Sequence, residues 1–100
     1  MPSFTIISCA LAIIETGAIP VMVDCYEDTW CLNIDEIEKK ITKKTKAILV
    51  VHMFGHPAEM SRLMKIKKKY KIKIVEDAAE AHGALYKKKV VGSFGDLACF

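Results

Sequence analysis

The sequence predicts an α/β fold in which a three-layer, parallel-rich sheet has helices on both faces. Short apolar runs rich in β-branched residues recur at residues 21–25, 47–53 and 72–76, and helical patterns separate them. Such alternation indicates a parallel sheet with right-handed crossovers. The run at 47–53 is almost continuously apolar, which is typical of a strand that helices cover on both sides.

Composition limits the classes of function. One hundred residues with 52% hydrophobic content fit one domain with one core. The net charge of +3 comes mostly from short lysine runs without interleaved arginine or aromatic residues, which argues against nucleic-acid binding. No apolar run is long enough for a bilayer, and no secretory signal is recognised, so we expect a soluble protein. The four cysteines form no C-x-x-C pair, which favours a reducing, cytoplasmic location.

The first half of the chain predicts two helices. Residues 8–16 have the spacing of a helix buried on most sides, and Gly17 and Pro20 then end it. Asn33 and Glu36 resemble a capping box at the start of a second helix, in which Glu36 and Lys40 form an i,i+4 pair. The apolar face of this helix consists of Ile34, Ile37 and Ile41.

The second half predicts a third helix and then a hairpin. Pro57 suits the first turn of that helix. Its inward stripe consists of Met60, Leu63, Met64 and Tyr70, and its outward residues include Lys65, Lys68 and Lys69. Residues 84–96 alternate poorly and contain two glycines, so we expect a hairpin-like excursion before a last strand at 97–100.

His52 and His56 have a spacing that would place two imidazoles together on a helix, as in some zinc sites. Gly55 and Pro57 break any helix there, so the i,i+4 geometry is lost. We therefore predict no metal site. The glycine-flanked segment at 92–95 has the character of a loop that approaches a phosphate, although P-loop and dinucleotide-binding motifs are absent.

Asp77 is the candidate functional carboxylate. It directly follows a buried strand, at the edge where parallel sheets bind ligands, and Ala78 and Ala79 leave room for a planar group beside it. Pyridoxal phosphate is an electron sink only while its ring nitrogen is protonated, and a buried aspartate holds that proton. A helix N-cap is an equally good interpretation of Asp77. Asp24, which also follows an apolar run, is interpreted as a turn residue.

Six segments in this order resemble the sugar-nucleotide aminotransferases, which are pyridoxal-phosphate enzymes of fold type I. The resemblance covers essentially the whole chain and is strongest to the perosamine synthase branch. The segments are Pro-Ser-Phe-Thr-Ile-Ile-Ser at 2–8, Gly-Ala-Ile-Pro-Val at 17–21, Thr-Lys-Ala-Ile at 45–48, Val-His-Met-Phe-Gly-His-Pro at 51–57, Glu-Asp-Ala-Ala-Glu-Ala-His-Gly-Ala at 76–84 and Gly-Ser-Phe-Gly-Asp at 92–96.

The resemblance implies cofactor-binding roles for individual residues. Asp77 matches the aspartate that pairs with the ring nitrogen, and Ala79 matches the small residue against one ring face. Glu80 matches a position, often Gln or His in relatives, that approaches the ring hydroxyl. Ile6 stands where many relatives have an aromatic residue that stacks on the opposite face.

The resemblance also implies that residues 1–100 are one partial domain, the central part of the large cofactor-binding domain. The phosphate loop would precede this segment, and the lysine that forms the Schiff base would lie beyond Phe100. No residue of this chain is therefore expected to be that catalytic lysine.

The function that the resemblance implies is transfer of an amino group from glutamate to a nucleotide-linked 4-keto-6-deoxy sugar. The setting would be a cytoplasmic homodimer that serves surface polysaccharide or deoxysugar biosynthesis. One alternative is a deoxysugar dehydratase of the same fold, in which a histidine replaces the Schiff-base lysine. Another is a non-catalytic α/β module that binds a small ligand.

Overall fold

A three-stranded parallel sheet lies at the centre of the structure, a computed structural model that describes residues 1–100. The helices are α1 (Ile7–Glu15), α2 (Ile34–Lys40) and α3 (Met60–Tyr70), and the strands are β1 (Ala47–Val51), β2 (Lys73–Asp77), β3 (Leu85–Tyr86), β4 (Lys89–Val90) and β5 (Leu97–Cys99). The sheet order is β1-β2-β5 with both pairings parallel, while β3 and β4 form an antiparallel hairpin. The predicted parallel-rich α/β class is confirmed.

Helices cover both faces of this sheet because neighbouring strand residues point to opposite sides. Val50 and Ile74 belong to the larger core, which α2 and α3 complete. Val51 belongs to a second core with Cys9 and Ala10 of α1. The three predicted layers are therefore present, with α1 on one face of the sheet and α2 and α3 on the other.

Residues 21–25 are not a strand of this sheet, contrary to the prediction. Val23 forms an isolated parallel bridge with Pro2. The Val23 carbonyl accepts a 2.7 Å hydrogen bond from the Ser3 amide, and the Val23 amide donates a 2.9 Å hydrogen bond to the Met1 carbonyl. Two hydrogen bonds are too few for a ladder, and Val21 remains half exposed. The apolar pattern correctly indicated extended backbone at residues 21–25. Which strands pair depends on residues far apart in the chain, and here β5 is the third strand of the parallel sheet.

Helix α1 is less buried than its sequence predicted. Only Cys9 and Ala10 are buried, whereas Ile7, Leu11 and Ile14 are 69%, 49% and 52% exposed. Helix α1 packs against Met1 and the β1 residue Val51 through Cys9 and Ala10, so only one stripe of the helix is covered. Neither α1 nor any other helix has the length and apolar content of a membrane span.

Helix α2 begins as predicted, but its side-chain pairs differ. The Asn33 side chain accepts a 3.0 Å hydrogen bond from the Asp35 amide and so caps the helix. Glu36 pairs with Lys39 at 2.6 Å, whereas Lys40 donates to the Met22 carbonyl. The predicted Glu36 to Lys40 pair is wrong because Lys40 finds a backbone acceptor on the neighbouring segment.

Helix α3 begins three residues after Pro57, so the prediction of Pro57 in its first turn is wrong. The Ala58 amide donates a 3.1 Å hydrogen bond to His52 Nδ1, which holds this segment in an irregular loop until Met60. The buried residues of the helix are Met60, Leu63 and Ile66. The inward stripe is thus confirmed at Met60 and Leu63.

The predicted excursion at 84–96 contains the β3–β4 hairpin, and β5 follows it as predicted. The hairpin turns at Lys87 and Lys88, both of which have positive φ angles, 50° and 68°. Two consecutive left-handed residues make a turn of type I′, whose twist suits a tight hairpin.

Candidate active site

The carboxyl ends of β1 and β2 meet at one edge of the sheet. Val51 is paired with Asp77, and the next amide, that of His52, donates a 3.0 Å hydrogen bond to the Asp77 carbonyl. From the sequence, Asp24, His52 and Asp77 are expected along one edge of the sheet, where ligands bind in parallel sheets. This expectation is confirmed for His52 and Asp77 and is wrong for Asp24. Asp24 does not end a strand of this sheet, and its carboxylate accepts a hydrogen bond from the Cys25 amide at 2.8 Å. It lies between the bridge residues Val23 and Cys25 and not in a turn, so the predicted turn role is wrong.

The surroundings of Asp77 decide against a helix cap. Residues 78–84 contain turns but no helix, so Asp77 has no helix to cap. Its Oδ1 accepts a 3.1 Å hydrogen bond from the Ala79 amide, and its Oδ2 accepts a 3.2 Å hydrogen bond from Cys9 Sγ. The carboxylate is half-buried and is held by groups from two different layers of the fold.

Ala79 and Glu80 follow Asp77 on the exposed side of this edge. Ala78 is buried with Ala81 and Val91, whereas the side chain of Ala79 is exposed. Glu80 Oε2 accepts a 2.9 Å hydrogen bond from the Phe54 amide, in the 3-10 turn Met53–Gly55 that follows β1. Glu80 thus joins the segment after β2 to the segment after β1, a role that the sequence did not reveal.

Ile6 lies near this edge through helix α1. It is the N-cap residue of α1, and its carbonyl accepts from the amide of Cys9, the residue that reaches Asp77. The Ile6 side chain is 64% exposed. The side chains of Ile6 and Ala79 are both exposed. Ile6 precedes the helix whose Cys9 binds the Asp77 carboxylate, and Ala79 binds that carboxylate through its own amide.

Glu76 is a buried carboxylate that sequence reasoning did not single out. It is fully buried and accepts hydrogen bonds from the backbone amides of Gly92 (2.7 Å), Phe94 (2.8 Å) and Gly95, and from His52 Nε2 at 3.0 Å. The sequence did contain a signal: adjacent strand residues point to opposite faces, so in a sheet covered on both faces Glu76 had to lie under a helix layer opposite to Asp77.

His52 is a neutral donor in this network. Its Nδ1 accepts from the Ala58 amide, so its proton is on Nε2, which donates to Glu76. Both ring nitrogens of His52 are engaged, and the segment between His52 and His56 is the short 3-10 turn Met53–Gly55 and not an α-helix. This geometry does not make a zinc site.

The glycine-flanked segment at 92–95 directs the amides of Gly92, Phe94 and Gly95 to Glu76, so these three amides are not free to bind a phosphate. A Cβ on Gly95 would lie 2.8 Å from the Ile74 carbonyl and 3.1 Å from that of Leu97, so this position requires glycine. Burial raises the pKa of Glu76, but hydrogen bonds from Gly95, Gly92, His52 and Phe94 outweigh it and hold the pKa below its usual value.

Comparisons with known proteins agree with this geometry. The model of the DegT/DnrJ/EryC1/StrS aminotransferase family matches residues 1–100. The chain is 45% identical to a GDP-perosamine synthase from Escherichia coli O157:H7 over 100 residues, all of this chain and 28% of that protein.

Solved structures show the same fold. DesV from S. venezuelae, determined in complex with a ketimine intermediate, superposes with a TM-score of 0.90 at 46% identity, over 92% of this chain and 25% of that one. NtdA from Bacillus subtilis, with bound cofactor PMP, superposes with a TM-score of 0.89 at 33% identity, over 98% and 22%. The chain spans about a quarter of the length of these relatives. The chain belongs to the DegT/DnrJ/EryC1/StrS aminotransferase family.

Proposed function

We propose that residues 1–100 are the central part of the large domain of a pyridoxal-phosphate-dependent aminotransferase. The reaction is transfer of an amino group from glutamate to a nucleotide-linked 4-keto-6-deoxy sugar of the perosamine type. Identity of 45% with a GDP-perosamine synthase along the whole chain supports this substrate class. The observation that carries the proposal is the half-buried Asp77 carboxylate at the carboxyl edge of the central strand, with no helix to cap.

The residues present fit the ring-nitrogen end of pyridoxal phosphate. A protonated ring nitrogen is a charged donor, and a carboxylate has about four lone-pair sites, of which Cys9 and Ala79 use two at Asp77. The small, exposed Ala79 leaves open space next to that carboxylate. When bound, the cofactor supplies an electron sink for amino transfer.

Each residue has a separate task in this proposal. Asp77 keeps the proton on the ring nitrogen, because its negative charge favours the cationic form. Ala79 would lie against one face of the ring, and Ile6, at the position that matches the opposite face, would contact it by dispersion rather than aromatic stacking. Glu80 lies toward the ring hydroxyl, held in place by its hydrogen bond from the Phe54 amide.

The remaining parts of the proposal concern the whole protein. The lysine that binds the cofactor covalently is outside residues 1–100, as is the phosphate loop. The active protein is a cytoplasmic homodimer in surface polysaccharide or deoxysugar biosynthesis. Family membership supports these features of the whole protein. The chain itself spans only about a quarter of the length of its relatives.

The substitution Asp77→Asn in the full-length protein tests the proposal. Loss of the charge opposite a buried cation costs on the order of 3 to 5 kcal/mol, so we expect amino transfer to fall roughly a hundredfold to a few thousandfold while cofactor remains bound. The measurement is glutamate-dependent amination of the nucleotide-linked keto sugar. Asp28→Asn, at an exposed turn residue, is the matched control and should retain full activity.

Other outcomes separate the alternatives. Near-normal amination in Asp77→Asn would show that Asp77 only stabilises the turn that follows β2. A deoxygenated rather than aminated sugar from the unmodified protein would identify a dehydratase. Failure to bind pyridoxal phosphate at all would leave only a ligand-binding module.

A further inference from the structure

The thiol of Cys9 contacts the carboxylate on which the proposed function depends. Cys9 Sγ lies 3.2 Å from Asp77 Oδ2, although the two residues are 68 positions apart in the chain. Cys9 is only 5% exposed and packs with Val51 in the core between α1 and the sheet. The contact therefore comes from a fixed helix and not from a surface loop.

The direction of the hydrogen bonds follows from the atoms available. A carboxylate only accepts, so the single hydrogen of the Cys9 thiol goes to Asp77. Thr5 Oγ1 lies 3.5 Å from Cys9 Sγ, and with the thiol hydrogen already used, the Thr5 hydroxyl must donate to the sulfur. The result is a chain of donors from Thr5 through Cys9 to Asp77.

The thiol keeps its hydrogen in this setting. Burial raises the pKa of Cys9 above its ordinary value, and Asp77 raises it further against an opposing hydrogen bond from Thr5. Cys99 on β5 is paired with Asp77 across the sheet, and its thiol donates to the Glu76 carbonyl at 3.6 Å. Burial raises the pKa of Cys99 as well, and Asp77 raises it further. Of these two thiols, it is Cys9 whose sulfur lies within 3.2 Å of an Asp77 carboxylate oxygen.

We propose that Cys9 is a positioning residue for Asp77, one that fixes the carboxylate for contact with the cofactor ring nitrogen. Oδ2 is held by Cys9 from helix α1 and Oδ1 by the Ala79 amide from the turn after β2, so the plane of the carboxylate is defined by two independent elements. The orienting role rests on the proposed function, whereas the hydrogen bond itself does not.

Infrared spectroscopy of the cofactor-free, full-length protein tests the hydrogen bond alone. A thiol that donates to a carboxylate has a lower S–H stretching frequency than a weakly bonded thiol. We expect Cys9→Ser to remove the lowest-frequency S–H band, and Asp77→Asn to move it to higher frequency because an amide oxygen is a weaker acceptor. No change in that band in either variant would overturn the proposal.

The orienting role is tested in the protein loaded with pyridoxal phosphate. Cys9→Ala should shift the pH dependence of the cofactor's visible absorbance and change its circular dichroism, whereas Cys9→Ser, which retains a donor, should restore both. Amino transfer should fall roughly three- to tenfold in Cys9→Ala, as expected for loss of one weak donor.

Cys31→Ala is the matched control. Cys31 is also a buried thiol, 3% exposed, but it donates to the His56 carbonyl at 3.4 Å and does not contact Asp77. Equal spectra and rates for Cys9→Ala and Cys31→Ala would show a packing role only and overturn the proposal. A protein that binds no pyridoxal phosphate would contradict the proposed function instead, with the infrared result still standing.

Discussion

Glu76 and Asp77 are neighbours in sequence with opposite environments. Strand alternation turns Glu76 into the core, where three backbone amides and His52 satisfy its charge, and turns Asp77 toward the α1 side of the sheet. A buried carboxylate with a full set of charge-assisted hydrogen bonds can stay ionised. Glu76 thus anchors the loop at 92–95 without taking part in the candidate site.

The anchoring of this loop should depend on pH. The pKa of Glu76 is held below its ordinary value of 4.5, so its contribution is complete above that value and is lost as pH falls through the lower, folded-state pKa. Hydrogen exchange of the peptide at residues 91–96, measured in the full-length protein by mass spectrometry, should show protection factors that decrease in acid.

The variant Glu76→Gln tests whether Glu76 causes the pH dependence of hydrogen-exchange protection at residues 91–96. Because an amide cannot accept from all four donors, protection should fall roughly ten- to a hundredfold and lose its pH dependence. Glu38→Gln, in an exposed pair with Lys69, should leave both unchanged. Acid-independent protection in the unmodified protein would contradict the assignment of Glu76 as the anchor.

At the scale of elements, the β3–β4 hairpin is tied to helix α3 by side chains. The Tyr86 hydroxyl donates to Glu59 Oε1 at 2.8 Å, and Lys87 Nζ donates to Ser61 Oγ at 2.9 Å. The turn between the strands places Lys87 and Lys88 in left-handed conformations, which asparagine and glycine adopt at lower cost. The lysines therefore leave the hairpin less stable than its geometry permits.

Lys88→Gly should stabilise the protein by about 1 kcal/mol, because glycine removes the steric cost of positive φ at a residue without a side-chain hydrogen bond. Urea denaturation measures the change. Lys89→Gly is the control in β4, where its ammonium lies 4.5 Å from the centre of the Phe94 ring, and it should destabilise the protein. Destabilisation by Lys88→Gly would show that the turn differs from type I′.

At the scale of the whole molecule, large apolar side chains remain exposed on several elements. On α1 they are Ile7, Leu11 and Ile14, and around β5 they are Leu97 and Phe100, which are 69% and 60% exposed. Contiguous apolar surface of this kind promotes association. Strand β5 also has an unpaired edge, since it pairs with β2 alone.

We expect residues 1–100, expressed alone, to associate or to be poorly soluble. Size-exclusion chromatography with light scattering measures this, and Leu11→Lys together with Ile14→Lys should reduce association. Lys65→Glu, on the exposed side of α3, serves as the charge-changing control. The isolated chain, mixed with pyridoxal phosphate and glutamate, should not transfer an amino group. A soluble monomer, or a chain that turns over with glutamate, would contradict these expectations.

The sequence by itself determined the fold class, the family and the order of the elements, apart from the strand predicted at residues 21–25. Strand and helix periodicities are local, so the runs at 47–53 and 72–76 and the cap at Asn33 were readable without any partner. The position of Asp77 at the sheet edge was also predictable, because parallel strands end on the same side.

Only the tertiary structure decided which strands pair and which side chains contact one another. Pairing and burial depend on residues far apart in the chain, so β5 rather than residues 21–25 completes the sheet, and α1 is covered along one stripe. The same reason applies at the site. Cys9 reaches Asp77 across 68 positions, and the amides of Gly92, Phe94 and Gly95 bind Glu76. Local sequence patterns do not encode these contacts.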